Sequence, residues 1–240
     1  MGGVYLSGGS GTGKTTFCNK MSAHYGIALI TDVIRNIHKK HPYISDLSTN
    51  ERQLVYATEY IKIHHTSEPT RFISDRSILN VLSFWGLEPE VAHYLGMKNK
   101  SPDLLILLPV PSFKWYIDHI SYFSDEMRIS TYKKRAKLDQ EKLERHEIAN
   151  LFYTQDRDMF DRMKKMCEYL EWRHFIPQID RNDPDDFQRS WQQQSHDVMK
   201  EMWELESVLT QKKQKVWGRE VPTEEVQEKL KKLEGGDLDG

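Results

Sequence analysis

The feature of the sequence that most constrains the fold is the stretch VYLSGGSGTGKTTF at positions 4–17. Apolar residues come first, and the spacing that follows is Gly8-x4-Gly13-Lys14-Thr15. Glycines permit a tight backbone turn whose N–H groups point inward, and a helix that starts directly after them adds its partial positive charge. The pattern therefore predicts a strand, a phosphate-binding loop and a helix in this order.

Each polar side chain of this loop has an expected role. Lys14 would place a positive charge on the β- and γ-phosphates of a nucleoside triphosphate, and the Thr15 hydroxyl would be a ligand of Mg²⁺. The residues expected to bind the nucleotide are Gly8, Gly9, Ser10, Gly11, Thr12, Gly13, Lys14, Thr15 and Thr16.

Short apolar runs alternate with helical patterns along the chain. The candidate strands are Val4–Ser7, Ile27–Ile30, Phe72–Asp75, Leu104–Leu108 and Phe175–Ile179. They lack polar alternation, which is typical of strands buried on both faces. We predict a three-layer α/β fold with a five-stranded parallel sheet, and ligands at the carboxyl ends of its strands.

The helical patterns between the strands carry their own signals. Ser48 and Glu51 have the spacing of a capping box, and Leu54, Ala57 and Ile61 follow on what should be one buried face. A longer apolar stripe at helical spacing comprises Ile148, Phe152, Met159, Met163, Cys167 and Leu170. Its methionine and aromatic side chains predict core packing rather than ligand contacts.

Composition excludes several classes of protein. Hydrophobic residues make up 38% of the chain and no run of about 20 apolar residues exists, so no membrane span is expected. The net charge of −2 argues against nucleic-acid binding driven by overall charge. The two cysteines, Cys18 and Cys167, lie far apart, which disfavours a disulfide framework or a zinc site. The N-terminus lacks the plan of a signal peptide, so a cytoplasmic location is expected.

The ends of the strands bear on the type of reaction. A GTPase would carry an Asn-Lys-x-Asp guanine reader, which this sequence lacks. A remodelling ATPase would carry an apolar strand that ends in Asp-Glu, whereas RFISDRS ends in Asp75-Arg76 and LLILLPVP ends in no acid. An arginine at this position suits the binding of an anionic or hydrogen-bonding acceptor, whereas it cannot activate water as a glutamate does. We therefore predict phosphoryl transfer from ATP to a second molecule, with a regulatory NTP-binding or ATPase module as an alternative.

The FISDRS segment at 72–77, together with the loop near the N-terminus, resembles the thymidylate-kinase and nucleoside-kinase branch of P-loop kinases. It is most similar to the group of nicotinamide riboside kinase domains and phage nucleotide or DNA-base kinases, over roughly residues 2–185. The resemblance implies a small-molecule acceptor of the nucleoside or nucleotide type. The alternative is a modified base such as 5-hydroxymethyluracil in phage DNA, in the host cytoplasm if the chain is phage-encoded. The sequence leaves the oligomeric state open and is compatible with a dimer.

The same resemblance implies roles for residues at the acceptor side. Arg76 would contact the acceptor or its phosphate, and Asp75 would lie near Mg²⁺, through water. Asp32, in LITDVIR, would accept the proton of an acceptor hydroxyl. The alternative role for Asp32 is the N-cap of the helix that begins DVIRNIHKK.

Two further regions follow from the resemblance. A basic lid at about 121–140 would close over the phosphates, and we favour its Arg128 and Arg135 because guanidinium groups match phosphate oxygens. The alternatives are a solvated helix face or a track for a nucleic-acid backbone. Arg181 would contact the adenine, or lie in a simple turn. The expected organisation is a kinase domain at 1–185, a helical extension at 186–218 and a flexible tail at 219–240.

Overall fold

The computed structural model describes residues 3–31, 33–66, 71–99, 101–123, 126–139, 142–179 and 187–218. Side chains are described within these ranges except at 49–50, 64–66, 99, 127–128 and 205–218. Asp32, Arg181, the side chain of Arg128 and the predicted tail at 219–240 therefore lie outside the described residues.

The strands form one parallel sheet in the order β2-β3-β1-β4-β5. Their bounds are β1 Gly3–Ser7, β2 Ala28–Ile30, β3 Phe72–Asp75, β4 Leu104–Leu107 and β5 His174–Phe175. The five-stranded parallel sheet predicted from the sequence is confirmed. The last strand is shorter than the predicted Phe175–Ile179 because Pro177 has no N–H to donate to a neighbouring strand.

Helices surround this sheet. They are α1 Lys14–Tyr25, α2 Val33–Lys40, α3 Thr49–Thr66, α4 Ile78–Phe84, α5 Pro89–Tyr94, α6 Phe113–Asp118, α7 Glu126–Ala136, α8 Arg145–Leu170 and α9 Phe187–Gly218. Short 3₁₀ turns lie at Pro42–Asp46, Met97–Asn99 and Ile120–Phe123. In the described part of the chain, no helix combines the length and the apolar character that crossing a membrane requires.

The capping box before α3 is confirmed, because the Ser48 backbone N–H donates to Glu51 Oε2 at 2.8 Å. The predicted buried face of this helix is wrong at Leu54, whose exposed fraction is 68%. Tyr56 and Tyr60 are buried instead. The aromatic rings remove more apolar area from water than a leucine does, so the helix turns that side towards the core.

The apolar stripe along α8 is confirmed as core. Phe152, Met159, Met163, Cys167 and Leu170 are buried, and Ile148 packs at the edge of a neighbouring cluster. Cys18 and Cys167 are free thiols in the interior. One buried residue of this stripe, Asp156, carries a carboxylate that the hydrophobic pattern does not predict.

The chain divides into two compact units, Met1–Gln194 and Ser195–Gly240. The first contains the sheet, the helices α1 to α8 and the start of α9, where Gln194 Nε2 donates to the Gln178 carbonyl at 2.5 Å. The second contains the remainder of α9 up to Gly218. The functional residues described below all belong to the first unit.

Candidate active site

The loop between β1 and α1 has the backbone conformation that its glycines predict. Gly11 and Gly13 have φ angles of 73° and 85°, in the left-handed region where a side chain is unfavourable. Gly13 is the N-cap of α1 and has no side chain that could cap the N–H groups of this helix. The partial positive charge at the start of α1 is therefore directed at the loop, as anion binding requires.

Lys14 is buried within the loop. Its ammonium group donates to the Gly9 carbonyl oxygen and to Thr12 Oγ1, the latter at 3.1 Å. Burial, with a smaller contribution from the neighbouring Arg76, lowers the pKa of Lys14 to about 8, although Asp75 and Asp156 oppose the shift. The phosphates of a bound nucleotide would favour the charged ammonium and so raise the pKa of Lys14 again.

Thr15 and Asp75 lie together because β1 pairs with β3 in a register that places Leu6 beside Asp75. The Thr15 hydroxyl donates to Asp75 Oδ2. Asp75 Oδ1 is buried and has no hydrogen-bond partner among the described residues. A hydroxyl and a carboxylate with an unpaired oxygen are the donors that Mg²⁺ takes when substrate phosphates and water complete its coordination. The residues present therefore fit a magnesium ion.

Arg76 is held in an unusual backbone conformation at the end of β3. Its φ is 88°, which costs about 1–3 kcal/mol for a residue with a side chain. Its N–H donates to the Leu6 carbonyl at 2.8 Å, and Ser74 Oγ donates to its carbonyl at 2.9 Å. These bonds fix the turn while the Arg76 residue itself stays exposed. An exposed cation held beside Lys14 suits the binding of a second anionic or hydrogen-bonding group.

The third residue of the Asp-Arg-Ser segment has a structural role. Ser77 is the N-cap of α4 and accepts a hydrogen bond from the Leu79 N–H at 3.2 Å. Its hydroxyl also bonds to Ser7 Oγ at 2.8 Å, and Asn80 of the same capping box donates to the Gly8 carbonyl at 3.4 Å. The start of α4 thus supports the phosphate loop from behind.

Three predicted site residues lie wholly or partly outside the described residues. Asp32 stands between β2, which ends at Ile30, and α2, which begins at Val33, and is itself outside the described residues. Its neighbour Thr31 has a buried hydroxyl with no hydrogen-bond partner among the described residues. The roles of Asp32, of the Arg128 side chain and of Arg181 stay predictions.

Arg135 is bound to α8 in this structure. Its guanidinium group donates to Asp158 Oδ2 at 2.7 Å and to the Gln155 carbonyl at 3.3 Å, and it lies 4.9 Å from the centre of the Phe84 ring. These contacts hold α7 against α8 and direct the guanidinium away from bulk water. Its predicted contact with the transferred phosphate would require the pair with Asp158 to open.

Asp156 is the residue near the loop that the sequence reasoning missed. It is fully buried on α8, and its carboxylate accepts hydrogen bonds from Tyr116 at 2.8 Å and from Tyr132 at 3.0 Å. Burial raises the pKa of Asp156, although both hydrogen bonds and the nearby Lys14 oppose the shift. An acid that interrupts an apolar stripe, between Phe152 and Met159, is the sequence signal that would have found it.

Gly9 packs directly against this carboxylate. A Cβ atom added at Gly9 would lie 2.4 Å from Asp156 Oδ2 and 2.9 Å from its Cγ. We expect Gly9→Ala to lower the free energy of unfolding by about 1–3 kcal/mol. The added methyl group would clash with the Asp156 carboxylate, and neither the loop backbone nor this buried carboxylate can move without strain. Chemical denaturation measures this loss. In an Asp156→Ala background the same change should cost much less, and an unchanged cost there would contradict the contact.

Residues 3–158 match the model of a protein family described as an AAA domain. The chain belongs to the AAA domain family. The AAA domain covers β1 to β4 and the first half of α8, so it includes the phosphate loop, the Thr15–Asp75 pair, Arg76 and Asp156. The fold is that of P-loop NTPases. No curated protein matches the chain.

Solved structures similar to this AAA domain protein include three of deoxyadenosine kinase from M. mycoides. The one with products dCMP and a flexible dCDP has a TM-score of 0.47 at 17% identity, covering 82% of this chain and 99% of the other. The one with dATP has a TM-score of 0.49 at 16% identity, with the same coverage of 82% and 99%. The one with dCTP has a TM-score of 0.43 at 17% identity, covering 78% and 94%.

Proposed function

We propose that this protein is an ATP- and Mg²⁺-dependent phosphotransferase that moves the γ-phosphate to a nucleoside, a nucleotide or a related small molecule. The observation that carries the proposal is the arrangement at the ends of β1 and β3. There, Lys14 and the Thr15–Asp75 pair lie beside Arg76, an exposed cation in the position where a water-activating glutamate would serve an ATPase.

The donor side of the reaction belongs to the loop and to Asp75. The N–H groups at the start of α1 bind phosphate oxygens, and Lys14 neutralises charge on the β- and γ-phosphates. Thr15 Oγ would hold Mg²⁺ directly, and the free Oδ1 of Asp75 would hold it through water. When bound, this ion neutralises charge that develops between the β- and γ-phosphates.

The acceptor side belongs to Arg76 and Asp32. Arg76 binds and orients the acceptor through its exposed guanidinium group, while its backbone is fixed by Leu6 and Ser74. Asp32 accepts the proton when the acceptor is a hydroxyl group, so that the attacking oxygen gains charge as it approaches the phosphorus. Arg128 and Arg135 on α7 are the cations proposed to stabilise charge on the transferred phosphoryl group and to exclude water, with Arg135 leaving its pair with Asp158 to do so.

The experiment that tests the proposal uses ATP labelled at the γ-phosphate, Mg²⁺ and separate pools of nucleosides, nucleotides and base-modified DNA, with one reaction lacking any acceptor. Label on a nucleoside or nucleotide supports the proposal. Label on DNA would instead assign the DNA-base kinase, and release of phosphate without an acceptor would assign the regulatory ATPase module. No turnover in any pool would contradict all three.

We expect Asp75→Asn to raise the Mg²⁺ concentration for half-maximal activity by about 10–100-fold. The amide keeps the size of the side chain but removes the negative charge, and its nitrogen cannot bind a cation. Titration of activity with Mg²⁺ at saturating ATP measures the effect. The matched control is Asp46→Asn, at the exposed end of the turn Pro42–Asp46, which should leave the Mg²⁺ curve unchanged.

A further inference from the structure

The basic helix α7 is attached to α8 by two of its side chains. Arg135 pairs with Asp158, and Tyr132 donates to Asp156 Oδ1 at 3.0 Å. The Tyr132 ring stacks on Phe152 with 4.0 Å between ring centroids. Tyr132 is buried, so its hydroxyl group must find its hydrogen bonds inside the protein.

The hydrogen-bond partner of Tyr132 and a second residue near its hydroxyl group belong to the surroundings of the phosphate loop. Asp156 touches Gly9 so closely that a Cβ atom there would lie 2.4 Å from Oδ2. The Ser10 side chain lies near the Tyr132 hydroxyl and lowers the pKa of Tyr132, although burial raises this pKa by more. Two consecutive loop residues, Gly9 and Ser10, therefore lie next to the groups that join α7 to α8. These groups are the Tyr132 hydroxyl and the carboxylate that it binds.

The loop residue that touches Asp156 also holds the nucleotide-binding lysine. Lys14 donates to the Gly9 carbonyl, so Gly9 has Lys14 on one side and Asp156 on the other. A phosphate that draws the ammonium group away from the Gly9 carbonyl changes the environment of Gly9 and of the carboxylate behind it. The consequence reaches Tyr132, because Tyr132 is bonded to that carboxylate.

We propose that Tyr132 is a positioning residue that couples occupation of the phosphate loop by ATP to the docking of the basic helix α7. The proposal rests on the proposed function only in that the loop binds ATP; it does not depend on the identity of the acceptor. Through this coupling, α7 is held beside the loop when the nucleotide is bound. In return, docking of α7 tightens the binding of the nucleotide.

Tyr116 provides a matched control for Tyr132. It is also buried, and it donates to the other oxygen of the same carboxylate at 2.8 Å. It lies on α6 and not on the basic helix. Replacing either tyrosine with phenylalanine removes one hydroxyl group from Asp156, so both variants should lose a similar few degrees of Tm.

The test compares ATP binding in Tyr132→Phe and Tyr116→Phe by calorimetry, together with hydrogen exchange of the α7 amides with and without ATP. We expect Tyr132→Phe to weaken ATP binding by about 3- to 10-fold, the effect of losing one hydrogen bond. Tyr116→Phe should change it by less than about 2-fold. ATP should slow exchange in α7 of the natural protein and of Tyr116→Phe, and should lose this effect in Tyr132→Phe.

Equal affinity losses in the two variants would overturn the proposal, because both tyrosines would then act only through stability. ATP-dependent protection of α7 that persists in Tyr132→Phe would also overturn it. If Tyr132→Phe fails to fold, the natural protein decides: ATP must slow exchange in α7, and unchanged exchange there would overturn the proposal. ATP binding without any phosphoryl transfer would contradict the proposed function while leaving the coupling measurable, so the two failures are distinguishable.

Discussion

Replacing Lys14 with alanine is expected to lower phosphoryl transfer to every acceptor by about 10²–10³-fold or more. The ammonium group is the buried cation of the loop, and it is placed by the Gly9 carbonyl and Thr12 Oγ1. Because the site excludes water, its charge acts on phosphate oxygens with little screening. No other described side chain of the loop carries a positive charge.

The measurement is label transfer from ATP at saturating Mg²⁺, compared with Lys20→Ala. Lys20 is an exposed lysine of the same helix α1, so its removal should leave transfer unchanged. Because the Lys14 ammonium is buried without a carboxylate bonded to it, the alanine variant should fold as well as the natural protein does. Transfer in Lys14→Ala within a few-fold of the natural rate would remove the loop from the proposed mechanism.

Asp32→Asn is expected to lower transfer to a hydroxyl acceptor by about 10²–10⁴-fold, the usual contribution of a general base. Transfer to a phosphate acceptor should depend on this residue much less, because that oxygen is already ionised. The same enzyme preparation therefore supplies its own control when both classes of acceptor are tested. Full activity towards a hydroxyl acceptor would exclude Asp32 from the chemistry.

The asparagine variant also separates the two roles predicted for Asp32. Asparagine caps helices about as well as aspartate does, so a residue that serves only as the N-cap of α2 would tolerate the change. Asp32→Ala removes the cap as well and should cost about 1 kcal/mol of stability if the cap exists. A loss of activity in Asp32→Asn without a loss of stability would identify the base, and thermal unfolding measures the second quantity.

The three adjacent residues of the Asp-Arg-Ser segment make different contacts in the folded protein. Asp75 faces Thr15, Arg76 is exposed in a strained conformation, and Ser77 caps α4 and bonds to Ser7. Adjacent residues thus differ in role: Asp75 is the proposed metal ligand, Arg76 is the proposed acceptor contact, and Ser77 supports the loop. The strain at Arg76 is sustained because Leu6 and Ser74 bind its backbone on either side.

Basic residues in the predicted lid illustrate what a sequence pattern leaves open. The basic residues of α7 are predicted to contact phosphates. Arg135 is one of them, but it pairs with Asp158 on α8. Charge at short spacing cannot reveal whether a side chain faces a ligand or a neighbouring helix. In the described structure, the contacts of Arg135 and Tyr132 show that the second half of α7 is docked on α8.

The amino-acid sequence by itself determined the phosphate loop, the parallel sheet and the buried stripe of α8. Each depends on residues a few positions apart, whose backbone and periodic preferences act locally: glycines in a turn, apolar runs in buried strands, and apolar spacing along a helix. The Ser48 capping box is of the same kind.

Only the tertiary structure decided which side chains meet across the chain. Asp156 touches Gly9 and binds Tyr116 and Tyr132, and α3 buries Tyr56 rather than Leu54. These outcomes depend on how α6, α7 and α8 pack around the loop and on which side chains bury the most area. Packing of distant segments is a property of the whole fold, and no local spacing encodes it.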